Sequence, residues 1–288
     1  MDSCLAIDIG GTKLAAGVVS GDGRLSSSRA VPTPQTTDPE VLFGVLAGLV
    51  TDVMKENPRV VACGVGCGGP MSAHGEEVSP LNIPAWDGFR LRSRLAELTE
   101  LDVTVENDAK ALALGEGWVG AARGRRNFMA MVVSTGVGGG IVSDARLLDG
   151  RLGNAGHVGH VIVEPGGRKC ACGAFGCLEA EASGKSIREM TGRPPAEAGP
   201  DVISRTGTLV GRAVASVSNL LDLDLTVIAG SVALGFGEPF FEAASAELAR
   251  SARLSFSRRA VVKKAGLGSE GPLIGAAAVA WRPVSGPE

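Results

Sequence analysis

Short apolar runs bounded by glycine-rich turns alternate with longer amphipathic segments along the whole chain. A period of two in the short runs indicates strands, and a period near 3.6 in the long segments indicates helices. The predicted strands are residues 4–9, 14–19, 60–65, 103–105, 129–133, 141–142, 227–229 and 260–264, with one more after the turn at 21–23. The predicted helices are residues 40–56, 91–98, 109–118, 183–190, 209–221, 239–252 and 273–281. This alternation predicts an α/β fold.

Two glycine-rich turns each lie between two predicted strands, at residues 10–13 and 134–140. Backbone N–H groups in such turns can bind phosphate oxygens. The first turn is neither a Walker A loop nor a Rossmann fingerprint, because a strand follows it rather than a helix. Each turn by itself is explained by the preference of glycine for tight turns. Together, the two turns predict one phosphate chain held between two domains.

A second candidate site follows the strand at residues 103–105, where Glu106, Asn107 and Asp108 precede a helix. Phosphoryl transfer to an alcohol needs a group that accepts the hydroxyl proton, and a carboxylate at a strand end suits that role. The alternative is that Asp108 only caps the following helix. Because both glycine turns are present, we predict that Asp108 is a general base, and the same residue can also be the cap.

Four soft ligands lie within eighteen residues in the pattern H-x9-C-x-C-x4-C. Four protein ligands complete the tetrahedral shell of a structural zinc and leave no position for water. The alternative is that these cysteines are small buried apolar residues. The sequence therefore predicts a structural zinc site, whose ligands are His160, Cys170, Cys172 and Cys177.

Length and composition restrict the class of protein. A chain of 288 residues is expected to form two domains. A net charge of −3 gives no electrostatic basis for binding nucleic acid or an anionic membrane. No signal peptide and no apolar run of membrane-spanning length are expected, and six cysteines do not make a disulfide scaffold. A cytoplasmic location is expected.

Taken together, these motifs resemble the ROK family (repressors, open reading frames, kinases). The resemblance lies in residues 8–13, 106–108, 134–140 and 156–179, and it extends to 229–231 and 271–277. It implies a two-lobed actin-like ATPase fold, also called ribonuclease H-like, with a zinc-binding loop. Residues 1–110 would form the small lobe, joined by a terminal helix at 272–288, and residues 111–271 the large lobe. It also implies ATP, Mg²⁺, structural Zn²⁺ and a homodimer.

The resemblance also implies a role for each site residue. Asp108 would be the catalytic base, and the zinc ligands are those named above. The sugar would contact Asn82, Asn107, His157, His160 and Glu179. The phosphates and nucleoside would contact Asp8, Gly10, Gly11, Thr12, Lys13, Thr135, Gly136, Gly138, Gly230 and Ser231.

Residues 155–160 read A-G-H-V-G-H, whereas kinases of this family most often carry A-G-E-x-G-H. A carboxylate only accepts hydrogen bonds, but a neutral imidazole offers one donor and one acceptor. The variant with His157 resembles bacterial N-acetylmannosamine kinases. It therefore predicts phosphorylation of the 6-hydroxyl of an N-acylated hexosamine, first of all N-acetylmannosamine.

Two alternatives stay open. In the first, the enzyme is a glucokinase or hexokinase in which His157 is tolerated. In the second, the chain is a sugar-sensing regulator without catalysis. Regulators of the family carry a helix-turn-helix ahead of the first glycine turn, and no such module is expected before residue 10.

Overall fold

The structure, a computed structural model, describes residues 2–281, which contain ten β-strands and nine α-helices. The strands are β1 (Ser3–Ile9), β2 (Lys13–Ser20), β3 (Leu25–Pro32), β4 (Val60–Cys67), β5 (Val103–Asn107), β6 (Phe128–Val133), β7 (Val137–Ser143), β8 (Arg146–Leu147), β9 (Leu225–Ala229) and β10 (Val261–Lys264). The helices are α1 (Pro39–Glu56), α2 (Leu91–Thr99), α3 (Asp108–Trp118), α4 (Leu178–Ala182), α5 (Gly184–Thr191), α6 (Pro200–Leu221), α7 (Ser231–Phe236), α8 (Glu238–Ser251) and α9 (Gly271–Trp281). Every predicted strand and helix is present, although several begin or end at other residues.

The described residues divide into two compact units. The first unit comprises residues 2–123, 149–155 and 267–281, and the second comprises the rest. Residues 111–123, 149–155 and 267–271, which the sequence analysis assigned to the large lobe, therefore belong to the first unit. The expected boundary after residue 110 falls inside α3, and a hydrogen-bonded helix is not divided between two units.

The predicted terminal helix at residues 272–288 is represented by α9. Residues 282–288 lie outside the described part of the chain.

The two units contain mixed five-stranded sheets with the same connectivity. The first sheet has the order β3-β2-β1-β4-β5, and the second has the order β8-β7-β6-β9-β10. In each sheet the central strand, β1 or β6, is antiparallel to β2 or β7, which is antiparallel in turn to β3 or β8. The two remaining strands, β4 and β5 or β9 and β10, run parallel to the central strand. The predicted α/β class is confirmed.

Helices cover both faces of the first sheet. Leu5 and Ile7 of β1 pack with α1 and α2, whereas Cys4 and Ala6 face α9. Small residues on the α9 side let that helix approach the sheet closely. A β carbon added at Gly64 of β4 would lie 2.0 Å from the carbonyl oxygen of Ala276 in α9, so this position requires glycine.

Helix α6 of the second unit begins nine residues earlier than the predicted start at residue 209. Pro200 occupies its first turn, where a missing N–H costs nothing. Gly207 lies in the helix because it allows close contact with α8: a β carbon there would lie 2.4 Å from the carbonyl oxygen of Phe240. The short helices α4 and α7 were not predicted, since five or six residues are too few to show helical periodicity.

Among residues 2–281, no helix combines the length and the apolar character that crossing a membrane requires.

Replacement of Gly64 tests the contact between α9 and the first sheet. We expect Gly64→Ala to lower the free energy of unfolding by about 2–3 kcal/mol, because the added methyl group overlaps backbone atoms. Gly44→Ala is the matched control. Gly44 is exposed in α1 with open space around it, so alanine there should raise stability by about 0.5–1 kcal/mol. Urea unfolding of both variants measures the difference, and equal stabilities would contradict the proposed contact.

Candidate active site and metal centre

The first glycine turn joins β1 to β2. The N–H of Gly10 donates to the carbonyl oxygen of Lys13 at 3.0 Å, and the hydroxyl of Thr33 donates to the carbonyl oxygen of Gly10 at 2.6 Å. A β carbon added at Gly11 would lie 2.8 Å from Cβ of Asn82. The loop that carries Asn82 therefore packs directly on this turn. The structure thus brings together one predicted sugar contact and the predicted phosphate turn of this unit, where Thr12 is exposed as well.

Two aspartates flank the carboxyl edge of the first sheet. Asp8 pairs with Gly66 of β4, and Gly66 pairs with Glu106 of β5, two residues before Asp108. A β carbon added at Gly66 would lie 3.7 Å from Cα of Asp108 and 3.9 Å from Oδ1 of Asp8. The pKa of Asp8 is raised to about 7, chiefly by burial and also by the negative charge of Asp108, while the charge of Lys13 opposes both effects. This edge therefore holds two carboxylates that repel one another.

Asn107, and not Asp108, is the N-cap of α3. Oδ1 of Asn107 accepts from the N–H groups of Ala109 at 3.1 Å and Lys110 at 3.4 Å. Asp108 is the first residue of the helix, and its side chain is exposed. Oδ1 of Asp108 also accepts from the N–H of Ala109, at 2.8 Å, so both side chains bond N–H groups at the start of the helix while Asn107 occupies the N-cap position. The carboxylate of Asp108 lies at a helix N-terminus, where the peptide dipoles stabilise negative charge.

The second glycine turn is shorter than predicted, because β7 begins at Val137 and the glycines at 138–140 belong to the strand. Within the turn, the N–H of Ser134 donates to the carbonyl oxygen of Gly136 at 2.9 Å. Oε2 of Glu179 accepts from the N–H of Val137 at 3.0 Å. A predicted sugar contact thus binds the backbone of the predicted phosphate turn, and exposed Thr135 lies at its tip.

Gly230 and Ser231 lie beside this second turn. The hydroxyl groups of Ser134 and Ser231 are 2.9 Å apart. Gly230 has a φ of 101°, and a β carbon there would lie 2.3 Å from the carbonyl oxygen of Val133. Only glycine therefore fits between β6 and α7. The residues predicted to contact phosphate and nucleoside in this unit are neighbours in the fold.

The four predicted zinc ligands converge in the second unit. Their ligand atoms all lie within 4.8 Å of one another, with Nδ1 of His160 3.7 Å from Sγ of Cys170 and Sγ of Cys172 3.7 Å from Sγ of Cys177. Zn–S bonds of about 2.3 Å and Zn–N bonds of about 2.0–2.1 Å place tetrahedral ligands roughly 3.5–3.8 Å apart. The donor types and the two distances of 3.7 Å fit zinc, and no other group of this kind occurs among residues 2–281.

His157 and His160 are close and nearly parallel. Their ring centroids are 6.2 Å apart with 16° between the planes, and His157 is exposed. The position of Nδ1 of His160 beside Cys170 directs this nitrogen towards the metal centre. The other ring nitrogen, Nε2, is then the one available to a ligand. The structure therefore brings the two predicted sugar-contacting histidines together at the edge of the zinc loop.

Sequence reasoning missed Glu181, which braces the zinc loop. Its side chain is 1% exposed. Oε1 accepts from the N–H of Arg168 at 2.5 Å, and Oε2 accepts from the guanidinium of Arg205 at 2.6 Å. Only its position two residues after Glu179 singles it out in the sequence. A buried carboxylate next to a candidate site indicates a structural role in holding the loop.

The pKa of Asp8 generates a pH-dependent prediction. An unfolded aspartate has a pKa of about 3.9. Between that value and about 7, folded Asp8 keeps a proton that the unfolded chain has lost. The free energy of unfolding must therefore fall with rising pH in this range, by at most about 1.4 kcal/mol per pH unit.

We expect Asp8→Asn to remove that component, so that stability falls less steeply between pH 4 and pH 7. Thermal unfolding without added Mg²⁺ across this range measures the slope. Asp52→Asn makes the same charge change at an exposed position of α1 and should keep the slope of the original protein. Identical slopes for the two variants would show that Asp8 carries no raised pKa.

Removal of a zinc ligand generates a second prediction. We expect Cys172→Ser to lower the zinc content well below one ion per chain and to lower the thermal midpoint by more than about 5 °C. The matched control is Cys63→Ala, which removes a buried thiol of β4 in the first unit and should keep full zinc content. Metal analysis by mass spectrometry decides the matter. Full zinc content in Cys172→Ser would exclude Cys172 as a ligand.

The chain matches the ROK family over residues 4–282. It is 36% identical over 250 residues to N-acetylmannosamine kinase of Escherichia fergusonii, covering 81% of this chain and 84% of that protein. The ROK family glucokinase of Streptomyces griseus, solved with glucose and AMPPNP, matches with a TM-score of 0.84 and 30% identity, covering 96% of this chain and 99% of that chain. The ROK hexokinase of Thermus thermophilus has a TM-score of 0.84 and 35% identity, covering 97% of this chain and 98% of that chain. These matches confirm the predicted actin-like ATPase fold, and the chain belongs to the ROK family.

Proposed function

We propose that the protein is an ATP-dependent kinase that phosphorylates the 6-hydroxyl of an N-acylated hexosamine, first of all N-acetylmannosamine. The observation that carries this proposal is the pair of carboxylates at the carboxyl edge of the first sheet. Asp108 is exposed at the head of α3, and Asp8 lies across Gly66 from it. In this proposal Asp108 accepts the proton of the acceptor hydroxyl, and Asp8 faces the phosphates and their counter-ion.

In this mechanism Asp108 accepts the proton of the 6-hydroxyl as the oxygen attacks the γ-phosphorus and ADP leaves. Assistance of this kind is commonly worth about 10²–10⁴ in rate. Phosphate oxygens bind at the turns of residues 10–13 and 135–138, through backbone N–H groups other than those of Gly10 and Val137, which already donate to Lys13 and Glu179. Bound Mg²⁺ neutralises charge on the phosphates. Asp8 has a pKa near 7 without a cation and therefore loses its proton when positive charge approaches.

Sugar recognition falls to polar side chains that the family resemblance implies. Asn82, Asn107, His160 and Glu179 would contact hydroxyl groups. His157 would replace a carboxylate that only accepts hydrogen bonds and would suit a substituent at C2. The identity of 36% with N-acetylmannosamine kinase of Escherichia fergusonii supports this choice of sugar.

A glucokinase or hexokinase activity is the second candidate, and a specific similarity favours it. The glucokinase of Streptomyces griseus and the hexokinase of Thermus thermophilus match this chain over nearly its full length. In that case His157 is tolerated in a pocket for an unsubstituted hexose. A regulator without catalysis is disfavoured by the exposed carboxylate of Asp108 at the helix N-terminus.

The remaining expectations from the family resemblance stay predictions. These are a structural zinc held by His160, Cys170, Cys172 and Cys177, a homodimer, a cytoplasmic location, and no nucleic-acid partner. A zinc bound by four protein ligands orients the loop around His160 and does not itself react.

Release of ADP from Mg-ATP, measured by a coupled assay with a panel of sugars, tests the proposed function. The panel contains N-acetylmannosamine, N-acetylglucosamine, glucose, mannose and glucosamine. We expect kcat/KM for N-acetylmannosamine to exceed that for glucose by at least about tenfold, since one polar contact is worth about that much. A preference for glucose would establish the second candidate instead. Absence of turnover across the panel would refute the kinase proposal for these sugars.

Asp108→Asn is the control for the chemical step. We expect it to lower kcat at least about 10²-fold and to change the sugar dissociation constant less than about threefold, because the amide cannot take the proton. Calorimetric titration with the preferred sugar measures binding. Near-normal turnover would remove Asp108 from the role of base.

A further inference from the structure

Lys110 is a buried cation for which the proposed mechanism has no role. Its side chain is 1% exposed in α3. The ammonium group donates to Oδ1 of Asp149 at 2.7 Å and to the carbonyl oxygen of Gly153 at 3.0 Å, and it pairs with Oε2 of Glu106 at 3.0 Å. Three N–H donors thus meet three oxygen acceptors. Burial of an ammonium group is costly, and an apolar residue would fill a core position more cheaply.

One of these contacts leads to the turn that bears Asp108. Glu106 is the penultimate residue of β5, and its Oε1 accepts from the N–H of Asn107 at 2.7 Å. Its Oε2 pairs with Lys110, one helical turn later. Burial raises the pKa of Glu106, whereas Lys110 lowers it and favours the carboxylate. The strand end and the first turn of α3 are therefore joined by a carboxylate that holds a backbone N–H on one oxygen and an ammonium on the other.

The other two contacts lead to a segment that we call the strap, residues 149–155. The strap belongs to the first unit, although the residues before and after it belong to the second. Asn154 attaches it a second time, with Nδ2 donating to the carbonyl oxygen of Met71 at 3.3 Å. The strap continues along the chain into Gly156 and His157, the start of the variant histidine motif. Lys110 therefore fixes the anchored end of the segment that leads into this motif.

We propose that Lys110 is a positioning residue that fixes both the turn bearing Asp108 and the strap that leads to His157, and so sets turnover and sugar affinity together. The inference deepens the proposed sugar kinase activity and rests on it. Lys110 touches neither substrate: one contact acts on the turn through Glu106, and the other acts on the strap through Asp149.

Kinetics of three variants separate the two effects. Lys110→Met removes both contacts, and we expect kcat to fall at least about tenfold and the sugar KM to rise at least about fivefold. Glu106→Gln weakens only the turn that carries Asp108 and Asn107, so kcat should fall at least about tenfold while the sugar KM rises less than in Asp149→Ala. Asp149→Ala releases only the strap, so the sugar KM should rise while kcat stays within about twofold. The ATP KM should stay within about twofold in all three variants.

Arg94→Gln is the matched control, since it breaks an exposed ion pair with Glu40 in the same unit and should leave kcat and both KM values unchanged. A loss of kcat in the three test variants with both KM values unchanged would mean only a loss of folded protein and would overturn the proposal. If Lys110→Met and Asp149→Ala keep the kcat and the sugar KM of the original protein, the proposal is overturned as well.

A readout without turnover distinguishes failure of this inference from failure of the proposed kinase. Arg151 is exposed within the strap and is a site for trypsin. We expect cleavage after Arg151, identified by mass spectrometry, to be at least about tenfold faster in Lys110→Met and Asp149→Ala than in the original protein and in Arg94→Gln. If the original protein turns over no sugar, the kinase proposal fails and this rate alone decides whether Lys110 holds the strap. Equal rates of cleavage would overturn the proposal. Asp149 is half exposed, so Asp149→Ala serves if Lys110→Met does not fold.

Discussion

Parallel pairing of β1, β4 and β5 is the constraint on which the candidate site of the first unit depends. The pairing aligns Asp8 with Gly66 and Gly66 with Glu106, so the residues that follow these strands leave the sheet at one edge. Asp8 and Asp108 are brought together there on either side of Gly66, where a β carbon would lie 3.9 Å from Oδ1 of Asp8 and 3.7 Å from Cα of Asp108. The raised pKa of Asp8 is the electrostatic consequence, because burial and a neighbouring negative charge both oppose its ionisation.

The second sheet repeats this arrangement with different chemistry. Each glycine turn follows the first strand of its sheet and leads into an antiparallel partner. Gly66 of β4 pairs with Asp8 of β1. Its counterpart in the second unit is Gly230, directly after β9, where a β carbon would meet the backbone of β6. In the first unit the carboxyl edge presents carboxylates, and in the second it presents backbone N–H groups and serine hydroxyls. In the proposed mechanism this connectivity would supply a phosphate-binding turn in each unit, and in the first unit the general base as well.

Local features of the site were predictable from the sequence, and long-range features were not. The zinc ligands lie within eighteen residues, so their spacing alone indicated the centre that the structure forms. Lys110 and Asp149 are 39 residues apart, and Val137 and Glu179 are 42 apart, and no periodic pattern connects such pairs. Glycine in the sequence was also ambiguous as a signal. It usually indicates a turn, but in α6 and α9 it allows a helix to pack closely on its neighbour, and that contact depends on the tertiary structure. Polar residues at the start of α3 showed that a cap exists without showing which of them fills it.

The zinc loop and the second glycine turn are not independent features, because one short helix belongs to both. Cys177 is the N-cap residue of α4, so the ligand loop determines where this helix begins. Two residues later, the side chain of Glu179 accepts from the N–H of Val137, and its carbonyl oxygen accepts from the hydroxyl of Ser186 in α5. If the loop that carries the predicted zinc ligands loosened, the carboxylate of Glu179, which bonds the second glycine turn at Val137, would be displaced. The zinc proposed for this loop would bear on the proposed phosphate turn through the position of a helix, without chemistry of its own.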